Sequence, residues 1–114
     1  MLKKQRVLKE LLTVLLLALL AFWSTTARAA GDYDAGARKS FLCAYCHGYD
    51  GNPLDNRVPR LAGRQPEYII DRIKALKASG TMHESMRQAL LTGDLGEQDI
   101  ANLATFFSRQ PVHR

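Results

Sequence analysis

Apolar positions along the chain fall into one unbroken block and three helical stripes. The block is residues 11–23, apolar except for Thr13, and Lys3, Lys4, Arg6 and Lys9 precede it. It is shorter than the ~20 residues a membrane-spanning helix needs and within the ~7–15 of an export-signal core. Ala27-Arg28-Ala29 puts small residues at the two positions a signal peptidase reads. Residues 1–29 therefore read as a signal peptide cleaved after Ala29, with residues 30–114 as the exported domain. The alternative is an uncleaved anchor, lengthened by Val7 and Leu8 but interrupted by Glu10.

The first stripe, Ala37, Ser40, Phe41 and Ala44, predicts a helix over residues 34–45, with Asp34 as N-cap. The second, Ile69, Ile70, Ile73 and Leu76, starts near Pro66, and Gly80 stands at C′. Glu67 and Asp71 early and Lys74 and Lys77 late suit its dipole. The third, Ile100, Leu103, Ala104 and Phe107, spans residues 97–108, and Pro111 prevents its continuation. Residues 81–92 have a poor amphipathic pattern and predict only partial helix. Residues 48–65, with Gly48, Gly51, Pro53, Pro59 and Gly63, show no alternating run and predict an irregular loop. The expected fold class is all-α.

Composition changes this picture in two ways. The net charge of +5 lies mostly in the leader, which carries +4. Residues 30–114 carry 11 Lys+Arg against 10 Asp+Glu, a net of +1. No basic surface for nucleic acid is implied. An 85-residue domain also buries only a little over ~60 % of its extended surface, so its core is marginal. Trp23, the only Trp, leaves with the leader. Such domains usually hold a staple or cofactor, and the long loop needs something to fold around.

Cys43-Ala44-Tyr45-Cys46-His47 supplies a reason. Two Cys separated by two residues and followed by His read as a c-type haem attachment site. Near a helix end, residues i and i+3 point the same way, so both thiols reach one flat macrocycle and add to its vinyl groups. The adjoining His47 then lies beneath the iron. A redox dithiol would want a βαβ setting and gives His47 no task. A structural zinc site would need a fourth ligand from His83 or His113. A Cys43–Cys46 disulfide would close a trivial loop.

The chain resembles the small bacterial class I cytochromes c, of the periplasmic high-potential type found alone and as a domain of dihaem proteins. The similarity is carried by Gly36, the Cys43–His47 motif with Gly48, Asp50-Gly51-Asn52, Pro59-Arg60-Leu61-Ala62-Gly63, Tyr68 and residues 99–107. It implies helices and long loops wrapped around one covalently attached haem c per chain, with Cys43 and Cys46 as thioether residues and His47 as proximal ligand. The Pro59 carbonyl would accept from the other ring nitrogen of His47. Gly36 would let the first and last helices approach, against Phe106 or Phe107. Tyr68 would lie over a haem edge or in the core. For the sixth ligand, Met86 falls closest to the family position, with Met82 and His83 as the other choices and an insertion at Thr92-Gly93-Asp94. Arg64 stands where the family commonly has Gln near the propionates, and Gly96 where Ser often caps the last helix.

The function implied is single-electron transfer in the periplasm rather than enzymatic catalysis. A quinol-oxidising complex, a terminal oxidase or a dehydrogenase are the partners expected. The alternative is an electron-accepting subunit bound to a dehydrogenase or flavoprotein.

Overall fold

The structure is a computed structural model in which residues 2–22 and 30–113 are described. The expected cleavage site after Ala29 lies outside them. The described residues hold six helices and no strand: α1 (Leu2–Phe22), α2 (Tyr33–Lys39), α3 (Phe41–His47), α4 (Pro66–Ser79), α5 (Glu84–Thr92) and α6 (Glu97–Ser108). This meets the all-α expectation. Every described side chain of α1 is exposed, and no helix among the described residues is long and apolar enough to cross a membrane.

Helix α6 is the centre of the fold, with α2 and α4 packed on it. Its apolar stripe, Ile100, Leu103, Ala104 and Phe107, is buried, and α4 supplies Ile69 and Ile73 to the same cluster. Phe107 is 1 % exposed and is the largest fully buried side chain among the described residues. Burying a side chain of that size stabilises by about 1.5–3 kcal/mol. Leu95, from the turn before α6, completes the cluster.

The ends of α4 and α6 follow the sequence signals. Pro66 opens α4, and Gly80 closes it at φ 68°, ψ 12°. That left-handed cap would cost a residue with a Cβ ~1–2 kcal/mol. Gly96 precedes α6 in extended conformation, and its N–H donates to the Asp99 carboxylate at 3.3 Å. This is half a capping box, because glycine has no side chain to return the bond.

Two expectations for the first helix are corrected. The helix expected over residues 34–45 is two helices, broken at Ser40, whose hydroxyl donates to the Ala37 carbonyl at 2.8 Å. Its N-cap is Asp32 rather than Asp34: the Asp32 carboxylate accepts from the Ala35 N–H at 2.7 Å. Residues 84–92 form a regular helix, with Met86, Ala89 and Leu90 half-buried. The turn leaving it contains Asp94 at φ 46°, and the Leu95 N–H donates to the Leu90 carbonyl at 3.1 Å.

Helices α2 and α6 cross at Gly36, which is buried. A Cβ there would overlap the Asn102 carbonyl and lie 2.9 Å from the Phe106 Cβ. Of the two aromatics expected at this crossing, Phe106 is the one in contact. Asn102 also ties the entering chain down, accepting from the Asp32 N–H at 2.7 Å. Nothing in the sequence pattern marks that role, since Asn102 is one more polar residue beside an apolar stripe.

Candidate functional site

Helix α3 carries Cys43, Cys46 and His47 on its last two turns. Both cysteines are free thiols. Cys43 faces inward and packs against the α4–α6 cluster, and burial pushes its thiol up to about 11. Cys46 is exposed. The helix ends at Gly48, whose N–H donates to the Ala44 carbonyl. It thus delivers His47 at the mouth of the long loop.

That loop folds back on itself. The Gly51 carbonyl accepts from the N–H groups of Leu61 and Ala62, at 2.9 and 3.1 Å. Pro59 is thereby brought beside His47, and the His47 Nδ1 to Pro59 oxygen distance is 2.8 Å. A carbonyl only accepts, so Nδ1 is the donor, and in the neutral ring Nε2 is left with the lone pair.

Met82 and Met86 are half-buried and pack against the cluster that also receives Cys43. Met86 lies in the first turn of α5, the helix that contacts α3. Met82 lines a cleft of about 600 Å³ with Leu76, Leu90 and Leu95. His83 is the N-cap of α5, its Nδ1 accepting from the Ser85 N–H at 3.2 Å. On α4, Tyr68 is 53 % exposed, and the Arg64 guanidinium stacks 5.4 Å from its ring centroid. Arg64 Nε also donates to the Arg60 carbonyl at 3.3 Å. Arg64 is therefore engaged with the protein surface, and Tyr68 is only partly covered.

Among the described residues no three His, Cys, Asp or Glu side chains converge into a metal-binding group.

No protein-family model matches the chain. Curated proteins do. It is 40 % identical over 91 residues to cytochrome c4 of Azotobacter vinelandii, covering 74 % of this chain and 43 % of that one. It is 37 % identical over 86 residues to cytochrome c4 of Pseudomonas aeruginosa, covering 75 % and 42 %. A solved structure, reduced recombinant cytochrome c4 from Pseudomonas stutzeri, superposes with a TM-score of 0.60 at 31 % identity, over 72 % of this chain and 47 % of that one. The chain is homologous to cytochrome c4 and is a class I c-type cytochrome. It spans about half the length of the curated relatives it matches.

The family implies haem c, and this cytochrome's donor set fits it. Two free thiols stand three residues apart on one helix. An imidazole beside them has Nδ1 committed to a carbonyl, which leaves Nε2 as the nitrogen for a metal. The thioethers of Met82 and Met86 lie half-buried at the same cluster.

Proposed function

We propose that this cytochrome is a periplasmic single-electron carrier. Cys43 and Cys46 would hold one haem c through thioether links, and His47 and Met86 would ligate its iron. When bound, the haem supplies one-electron chemistry, cycling between ferric and ferrous states. The observation that carries the reading is the 2.8 Å contact between His47 Nδ1 and the Pro59 carbonyl. That bond would fix the tautomer and ring orientation and raise the basicity of Nε2, the nitrogen that would ligate the iron.

The chain's other residues act on the potential and on access. A thioether ligand favours ferrous iron and raises the potential relative to bis-His ligation. The apolar cluster of α4 and α6 keeps water from the buried side of the site. Arg64, stacked on Tyr68, is placed to meet a propionate or to remain at the surface. Residues 1–29 would direct export and be removed after Ala29.

A second reading has its own support. Tyr45, Tyr49 and Leu54, within eleven residues of Cys43, are 98 %, 85 % and 106 % exposed. Apolar exposure of this kind beside the attachment segment favours a lasting protein contact, as in an electron-accepting subunit of a dehydrogenase. Co-purification of a catalytic partner would favour it. A quinol-oxidising complex or a terminal oxidase fits the free carrier.

The test is an optical spectrum and an intact mass of the periplasmic fraction. The expected result is a c-type haem spectrum and the mass of residues 30–114 plus one haem. A colourless, folded product with both thiols open to alkylation would overturn the reading.

A further inference from the structure

The segment following α6 is tied twice to the haem-loop residues by one side chain. Asn52 Nδ2 donates to the Pro111 carbonyl at 2.9 Å, and Asn52 Oδ1 accepts from the His113 N–H at 2.9 Å. One carboxamide thus pairs with a backbone acceptor and a backbone donor two residues apart, as a neighbouring strand would. Only Asn has this donor and acceptor at this reach: Asp lacks the donor, and Leu lacks both. A third tie, His113 Nε2 to the Asp50 carboxylate at 3.3 Å, lies beside it. The Gly63 N–H ties the same loop to α6 itself, donating to the Phe107 carbonyl at 3.1 Å.

These ties close on the His47–Pro59 pair. The Asn52 carbonyl lies against Gly48, the residue after His47, and the Gly51 N–H donates to the Gly48 carbonyl at 3.1 Å. The Gly51 carbonyl, next to Asn52, holds Leu61 and Ala62, two and three residues beyond Pro59. Asn52 therefore sits at the knot where both ends of the His47–Pro59 span are gathered, and segment 110–113 presses on it from outside.

We infer that Asn52, clamped to Pro111 and His113, is a positioning residue for His47, holding the Pro59 carbonyl on the imidazole Nδ1–H and so helping to set the reduction potential. The inference rests on His47 being the proximal ligand. Freed of the clamp, the loop relaxes and the Nδ1–H···O bond lengthens. The imidazole then becomes a poorer donor, ferric iron loses stabilisation, and the potential rises.

The test uses the mature holoprotein. Asn52→Leu and a variant ended after Gln110 are compared with wild type by spectroelectrochemical titration, by the hyperfine-shifted imidazole resonances of the ferric state, and by thermal unfolding. Both variants are expected to raise the potential and move the imidazole resonances. The combined variant should shift no further than either alone, because both cut the same link. Unmoved potentials and resonances with a lowered Tm would show a merely structural clamp and overturn the inference, as would additive shifts. If Asn52→Leu fails to mature, the shortened variant decides by the same readings. Wild type without a covalent haem spectrum would overturn the ligand reading itself, which is a distinguishable result.

Discussion

Gly36 and Asn102 meet backbone to backbone, so that a Cβ on Gly36 would overlap the Asn102 carbonyl. The contact makes the sign of a substitution informative. In an open helix, Gly→Ala stabilises by roughly 0.5–1 kcal/mol. At this crossing, Ala must push α2 away from α6 and from the Phe106 side chain, and overpacking of this kind costs about 1–3 kcal/mol. Gly36→Ala is expected to lower the Tm and the denaturant midpoint. An unchanged or raised Tm would mean that α2 and α6 do not approach as described.

How much of this was legible in the sequence depended on the range of the interaction. Helices α4 and α6 were readable because stripe and punctuation agree: Pro66 and Gly80 bracket one, and Gly96 and Pro111 bracket the other. The break at Ser40 was hidden, because Ala37, Ser40, Phe41 and Ala44 keep helical spacing across it and only the local bond to the Ala37 carbonyl shows the stop. Helix α5 was faint because nine residues allow two turns and only Met86, Ala89 and Leu90 to mark its inner face. The Cys43, Cys46 and His47 segment announced itself by spacing alone. The Asn102 bond to Asp32 could not be read, since it joins residues 70 apart. The Asn52 clamp was equally silent, because its partners are backbone atoms that carry no residue type.

Asp99 joins α6 to α2 through Lys39, at 2.8 Å. The hydrogen bond from Lys39 holds its carboxyl below the usual carboxylate range, and the Gly96 N–H adds to the effect. A depressed folded-state pKa gives stability that is present above the unfolded pKa of ~3.9 and lost as pH falls through the folded value. Asp99→Asn should therefore be less stable than wild type at neutral pH, by about 1 kcal/mol or less for so accessible a pair. The two unfolding curves should converge as pH is lowered through the acid range. A gap that stays constant down to strongly acidic pH would show that the charge contributes nothing.

Cys43 and Cys46 differ in surroundings, one packed on the core and the other at the surface. Cys46→Ser removes an exposed thiol and leaves the fold's packing intact. The expected product is poorly matured protein whose haem, where present, is held by a single thioether and shows a shifted pyridine haemochrome spectrum. Cys43→Ser should add a packing penalty to the same chemical loss, giving the lower Tm of the two. Normal yield and an unaltered spectrum for Cys46→Ser would remove that residue from the attachment site.

Met86 and Met82 separate packing from ligation, because both are half-buried against one cluster. Truncating either should cost stability, below the ~2–5 kcal/mol typical of fully buried Met→Ala changes. Stability therefore cannot tell them apart, and an electronic readout must. Met86 lies on the helix that touches α3, while Met82 lines the cleft with Leu76, Leu90 and Leu95. For Met86→Ala, the thioether-to-iron charge-transfer absorption of the ferric protein should vanish. The potential should fall, since ferrous iron loses its favoured ligand. Met82→Ala should keep the band and move the potential far less. If the band disappears in Met82→Ala and survives in Met86→Ala, the sixth ligand is the residue before His83 and α5 is a packing element only.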